Sequence, residues 1–176
     1  MIDVVFMRKG CFVNRLSKLT IPCLLAVLLL VGVLTARDYS NVNSTNRWAW
    51  GASTGWVNCR SDSTNGAVVG QYVCSGYFYC PSTGWITLGN GQPTNGIRYM
   101  NAATNNYGVN HDGAGKLRGY AWSDSIGWIA FEDTGAAFID LRTGVLTGYV
   151  WSASMGWIGF SNLSYFVQSD SLAAGT

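Results

Sequence analysis

The side chains able to do acid–base or metal chemistry are few and scattered. The sole histidine, His111, is followed by Asp112. Neighbours on a strand point to opposite faces, so the two do not form a proton relay by themselves. A Ser-His-Asp arrangement lacks the Gly-x-Ser-x-Gly turn that exposes a nucleophile. Cys59, Cys74 and Cys80 follow no zinc spacing. Asp112-Gly113-Ala114-Gly115 lacks the alternating oxygen ligands of a calcium loop and reads as a glycine turn. Glycoside hydrolysis needs two facing carboxylates; Glu132 and Asp133 are adjacent and read as a solvated turn. The expectation is a protein without catalytic residues, metal ligands or cofactor. Binding chemistry gathers in one segment, about 89–106, which carries Asn90, Asn95, Tyr99, Asn101 and Asn105, with Tyr107 just beyond. Amides and aromatic faces are what sugar hydroxyls and pyranose rings require, and loops on a rigid scaffold often carry function. These six residues are the candidate ligand contacts.

The scaffold that must hold this loop is repetitive. Gly-Trp or its equivalent closes a similar stretch at Trp56, Trp85, Trp128 and Trp157, with spacings of 29, 43 and 29. The long interval is one period plus a 14-residue insertion. A fixed period of this size is the mark of a repeat architecture. In the third copy Tyr120 and Trp122 alternate with Ala121 and Ser123, which is strand periodicity. Asp124-Ser125-Ile126-Gly127 reads as a four-residue turn whose glycine takes positive φ. Trp128-Ile129-Ala130-Phe131 then returns as the partner strand. Pairing Trp122 with Ile129 would place Tyr120 opposite Phe131, giving one aromatic–aliphatic face. A further strand precedes each hairpin, as in Phe138-Ile139 before Val145-Leu146-Thr147. One unit cannot bury enough surface to stand alone, so the aromatic residues are expected to share an interior: Trp50, Trp56, Trp85, Trp122, Trp128, Trp151 and Trp157 form the predicted repeat core.

The repeat also places the cysteines. Cys59 falls in the column of Leu88, Phe131 and Phe160, Cys74 in that of Leu117 and Leu146, and Cys80 in that of Ser123 and Ser152. A Cys59–Cys74 bridge is the preferred pairing; Cys80 is the other candidate partner of Cys59, and inert buried thiols are the third reading.

Charged residues are 11% of the chain and aromatics 14%, which argues against disorder. Arg8, Lys9, Arg15 and Lys18 precede an apolar run from Ile21 to Val33, ending in Leu34-Thr35-Ala36. This reads as a secretory signal over residues 1–36, too short to span a bilayer comfortably. The rival is an uncleaved anchor, the one route foreseen to a membrane. Beyond it stand seven basic and eight acidic residues, a net charge of −1, so no basic stripe exists for nucleic acid. The organisation expected is signal 1–36, linker 37–45, four-repeat domain 46–166 and tail 167–176.

Gly119-Tyr-Ala-Trp-Ser-Asp-Ser-Ile-Gly-Trp-Ile-Ala-Phe131 resembles the units of uncharacterised exported bacterial repeat proteins with Gly-Tyr-Ala-Tyr/Trp-Ser-x-Asn-x-Gly-Trp-Ile-Asn-Phe hairpins. Asn95-Gly96-Ile97-Arg98-Tyr99, Tyr107 to Gly113 and Val167-Gln168-Ser169-Asp170 share the likeness, over roughly 46–172. The resemblance implies export and a repeat fold. In similar proteins a calcium-binding stretch or a surface-sorting tail often follows the repeats, where this chain has Ala173-Ala174-Gly175-Thr176. The family brings no established activity.

The fold class expected is all-β: four units of about 29 residues with three short, mostly antiparallel strands each, closing into a barrel, sandwich or prism, with a solenoid or small propeller as alternatives. Two functions compete. The first is a structural or interaction protein of the cell surface whose partners are other surface proteins. The second is a carbohydrate-binding module that uses aromatics and the Asn-rich loop, and it predicts exposed rings.

Overall fold

A computed structural model describes residues 40–172, apart from 63, 92 and 94–96. The predicted signal segment and Asn95 lie outside the described residues. Those described form strands and turns with no helix.

Each Gly-Trp segment is a β-hairpin. The four are β1–β2 (Val42–Gly51, Gly55–Asn58), β5–β6 (Tyr77–Cys80, Gly84–Thr87), β8–β9 (Leu117–Ser123, Gly127–Phe131) and β12–β13 (Tyr149–Ser152, Gly156–Gly159). Neighbouring hairpins pair edge to edge through Asn58 with Tyr79, Thr87 with Trp122, Ala130 with Trp151, and Gly159 with Trp50. The last contact returns to the first hairpin, so eight strands close into an antiparallel barrel. Closure leaves no free edge within the ring.

The turn is shorter than the sequence suggested. Ser123 pairs with Gly127, leaving a three-residue loop, and Gly127 has φ of 75°. Gly55, Gly84 and Gly156 adopt the same left-handed conformation at the equivalent sites. A type I turn followed by a left-handed residue suits such a loop. The one-residue difference moves the register: Trp122 faces Trp128, and Ala121 faces Ile129. The Trp122–Ile129 pairing is therefore corrected. The turns also lock to one another. The Ser82 hydroxyl donates to the Thr54 carbonyl at 2.8 Å, that of Ser125 to the Thr83 carbonyl, and that of Ser154 to the Ile126 carbonyl at 3.2 Å. This gives the third-position serine of the turn a structural task in three copies.

The predicted core is corrected as well. The interior is lined by Ala49, Val57, Phe78, Ile86, Ala121, Ile129, Val150 and Ile158, with Cys59, Leu88, Phe131 and Phe160 at the next level. The tryptophans stand outside: Trp50, Trp56, Trp85, Trp128, Trp151 and Trp157 are 39 to 47% exposed, and Trp122 is half-buried. An eight-stranded barrel is only wide enough for side chains to fill. Two facing columns of small and branched residues fit there; seven indoles do not. The filling is tight, with a residual void of about 10 Å³ among nine interior residues.

The additional strands lie outside the eight-stranded ring. β3 (Val68–Val69) pairs with β4 (Cys74–Ser75), β7 (Val109–His111) with the start of β8, and β10 (Phe138–Ile139) with β11 (Val145–Thr147). β14 (Val167–Ser169) pairs with β11 and with the start of β1. The domain thus extends past both limits assigned from sequence: β1 begins in the segment read as linker, and β14 lies in the segment read as tail. Five barrel strands have only four residues. A strand crossing a bilayer needs about 9 to 11, and the apolar interior is the reverse of a membrane pore.

Cys59, Cys74 and Cys80 are free and buried, which corrects the Cys59–Cys74 bridge. Cys59 and Cys74 serve as small apolar residues in their columns, the third of the readings above, whereas Cys80 keeps the serine role of its column, with Sγ 3.4 Å from the Thr54 carbonyl and 3.1 Å from the Ser82 hydroxyl. Burial pushes the Cys59 thiol far up and the Cys74 thiol up to about 12. The thiolate is the reactive form. Cys80 is shielded by burial alone, and iodoacetamide at pH 8 should leave all three unlabelled in the native protein and label them in urea. Rapid native labelling, or a Cys59–Cys74 linked peptide in a non-reducing digest, would contradict this packing.

Candidate functional site

The outer face of each hairpin carries the same three-ring cluster. Cross-strand pairs Trp50–Trp56, Tyr79–Trp85, Trp122–Trp128 and Trp151–Trp157 have ring centroids 4.7 to 5.1 Å apart. Trp48, Tyr77, Tyr120 and Tyr149 pack on the other side of the second-strand indole at 5.8 to 6.3 Å. Edge-to-face pairs of this kind contribute about 0.5–1.5 kcal/mol each beyond area burial. They hold the indoles rigid while leaving much of their surface in water.

Between adjacent hairpins the barrel wall dips. A cleft of about 700 Å³ lies between β5–β6 and β8–β9. Thr87 is on its floor, and Tyr77, Trp122, Tyr107, Asn90 and Asp124 are around it. The indole Nε1 of Trp122 donates to Asp124 Oδ1 at 2.9 Å, which fixes the ring and leaves Oδ2 to accept from a ligand. Asn90 Oδ1 accepts the Tyr107 amide at 3.3 Å, and the Asn90 amide donates to the Tyr107 carbonyl at 3.1 Å. The Asn90 side-chain NH2 is thereby presented as a donor. Burial, and then the charge of Asp124, hold the Tyr107 phenol above its ordinary pKa, so it is a hydroxyl donor at neutral pH. Tyr107 also stands edge-on to Trp128 at 4.8 Å. On its far side is a second hollow of about 400 Å³, with Tyr120, Trp128, Asn101 and Thr104.

The six candidate contacts thus divide. Asn90 and Tyr107 reach the cleft. Tyr99 touches it but is 1% exposed. Its ring lies over Gly89 and Gly108, where an added Cβ would come within 2.5 and 2.3 Å of it. Burial first, then the Cys74 thiolate field, raise its pKa. Tyr99 is the core of the insertion rather than a ligand contact. Asn101 lines the second hollow, but its Oδ1 accepts the Gly108 amide at 3.0 Å and its NH2 faces the Tyr99 carbonyl at 3.5 Å. Asn105 is exposed and belongs to neither lining set. The asparagines mostly bond the insertion's own backbone, as Asn110 does with both polar groups of Tyr99 at 2.8 and 2.9 Å. Sequence reasoning missed Trp122 and Asp124 as cleft residues. The signal was present in the alternation of residues 119–123, but it was assigned to the wrong face.

His111 is buried at the end of β7, with Nδ1 3.0 Å from the Gly70 carbonyl and Nε2 accepting the Gly115 amide at 3.1 Å. Both ring nitrogens are spent on backbone. Among the described residues no three His, Cys, Asp or Glu side chains gather as metal ligands.

What these clefts can do chemically is bind: rigid aromatic walls, an amide donor, phenol hydroxyls and an oriented carboxylate surround an open, water-filled space. Comparison with known protein families, with curated proteins and with solved structures finds no match, so the clefts themselves are the ground on which function is argued.

Proposed function

We propose that this is an exported, non-catalytic carbohydrate-binding protein that holds a neutral glycan in the cleft between β5–β6 and β8–β9. The observation that carries the reading is the position of the tryptophans: the rings that would have made a core stand instead in water, beside amide, hydroxyl and carboxylate groups. Large apolar side chains left exposed in a cluster mark a binding surface. A pyranose has apolar C–H faces and a polar rim, and the cleft offers an indole wall with donors and acceptors at its edge. The basic and apolar character of residues 8–33 supports export.

A glycan array followed by calorimetry with the best ligand tests this. Trp122→Ala should weaken binding at least about tenfold, since a central aromatic contact carries much of a site's affinity. It should cost the fold about 1–3 kcal/mol, from the lost ring pair with Trp128 and the covered part of the indole, less than a core truncation. Asp124→Ala should act in the same direction through loss of ring orientation and an acceptor. Absence of binding across a broad array of neutral sugars would remove the reading.

A second reading, a structural or interaction protein of the cell surface, has its own support. All four barrel faces bear an aromatic cluster, more than one glycan cleft requires. Sedimentation at rising protein concentration separates the two: reversible self-association without glycan affinity favours the second.

A further inference from the structure

The clefts between hairpins are repeats of one another, and the repeat shows what fits in them. In two of them a tyrosine from outside the hairpin reaches the indole of the second strand. Gly76, Gly119 and Gly148 open hairpins two to four and lie against the carbonyls of Gly66, Gly108 and Ala136. The residue just before each of these is Asn65, Tyr107 and Gly135. For the first hairpin the equivalent is Tyr165. It stands two residues before Val167, as Tyr107 stands before Val109, and both valine amides bond the carbonyl of the same column, Phe160 and Leu88. The residues at this position in the four repeats of Trp56, Trp85, Trp128 and Trp157 are thus Tyr165, Asn65, Tyr107 and Gly135.

Two of these partners are rings, and both stand edge-on to their indole: Tyr165 on Trp56 at 5.2 Å and 82°, and Tyr107 on Trp128 at 4.8 Å and 87°. Trp157 has no such ring. Beside it is an open cleft of about 430 Å³ bounded by Trp151, Trp157, Ala130, Glu132, Thr134 and Gly135. The chain cannot fill it from position 135, because an added Cβ would lie 2.0 Å from the Tyr149 carbonyl oxygen and 3.2 Å from Trp157 Cζ3. The carboxylate at its rim is held in place: Glu132 accepts the Tyr120 hydroxyl, and its charge is the main cause of that phenol's raised pKa.

We propose that the cleft between β8–β9 and β12–β13 is a second sugar site, in which a neutral pyranose ring occupies the position that Tyr107 and Tyr165 hold on their indoles. The inference rests on the carbohydrate reading and extends it to a separate site. A pyranose is close to a phenol ring in size, and its axial C–H bonds would contact the indole with the sugar lying face-on, in the space where Tyr107 and Tyr165 stand edge-on on theirs. Its hydroxyls meet Glu132 and Thr134. The carboxylate repels uronic and sulfated sugars, which restricts the ligand to uncharged chains. Two sites on neighbouring faces let one molecule bridge two glycan strands, so avidity on a polymer exceeds affinity for a short chain.

The test titrates the protein with β-1,4-linked hexamers of glucose and of N-acetylglucosamine, following heat and the indole N–H resonances. The expected result is two sites per chain for one of the hexamers, with shifts at both Trp122 and Trp157. Trp157→Ala should reduce the stoichiometry to one while Trp122 still responds. Glu132→Gln, which keeps the aromatic cluster whole, should weaken the second site several-fold without touching the first. A single site in the wild type that survives Trp157→Ala overturns this inference and leaves the proposed function standing. No binding of either hexamer counts against both.

Discussion

Replacing Phe160 with alanine is expected to destabilise the domain by about 3–5 kcal/mol, as large-to-small changes of a buried phenylalanine do. Trp157→Ala, in the same hairpin, should cost less, about 1–3 kcal/mol, the loss of its two ring pairs with Trp151 and Tyr149 by an indole that is 45% exposed. Phe160 is fully buried, with its ring 6.2 Å from Phe78 and 6.0 Å from Phe131. The surrounding barrel is closed by backbone hydrogen bonds on all sides, so it cannot collapse far into the hole. The interior void is already only about 10 Å³, and a deleted benzyl group would leave a cavity many times larger. Urea unfolding measures both variants. The ordering is the informative part: a larger loss for Trp157→Ala than for Phe160→Ala would mean that the aromatic face points inward after all.

That ordering also shows where sequence reading works and where it stops. The hairpins, the turn glycines with positive φ and the extra strand before hairpins two to four were legible, because each depends on local chemistry; before the first hairpin no strand is described, and β14 pairs with its start instead. The columns were legible too: Cys59, Leu88, Phe131 and Phe160 are all buried, as are Cys74, Leu117 and Leu146. What failed was the choice of face. Period-two alternation separates Tyr120 and Trp122 from Ala121 and Ser123 but does not say which set is interior. Hydrophobic size argued for the indoles; the width of an eight-stranded barrel decides against them. A usable signal stood next to each Gly-Trp, where Val57, Ile86, Ile129 and Ile158 repeat a β-branched residue. Branched side chains are the usual filling of a narrow barrel. The register error has the same root, since one residue in the turn exchanges the two faces.

The insertion was legible in composition and not in role. Its amides suggested ligand contacts, yet an irregular segment must first satisfy its own backbone. Asn101 and Asn110 do that work around the buried Tyr99 ring. Among the described candidates, Asn90 and Tyr107 bring their polar groups to the cleft. No local rule in the sequence distinguishes the asparagines that staple a loop from the one that faces the cleft.

Deleting residues 164–176 should abolish cooperative folding, although the segment contains no part of the barrel. β14 lies between β1 and β11, joining the two ends of the repeat array. Val167 is fully buried, and its amide bonds the Phe160 carbonyl at 2.9 Å. The Ser169 amide bonds the Gly144 carbonyl at 2.8 Å, and Asp170 reaches back to the Asn41 carbonyl at 2.8 Å. Gln168 links the Asn46 side chain and the Thr143 carbonyl at 2.9 and 2.8 Å. Each such bond contributes about 1 kcal/mol and the valine about 1.5–3. Their sum approaches the 5–15 kcal/mol, or about 10, by which a domain of this size is stable. The loss is worse than the sum, because the start of β1 would be left with unpaired backbone groups and the Tyr165 ring would leave Trp56. Hairpins two to four can lean on the strands that precede them; among the described residues the first has no strand before it and pairs with the C-terminal strand instead. Circular dichroism melts of the truncated chain should show no cooperative transition, and adding residues 160–172 as a peptide should restore one. A sharp melt without the peptide would mean that the hairpins close the ring unaided.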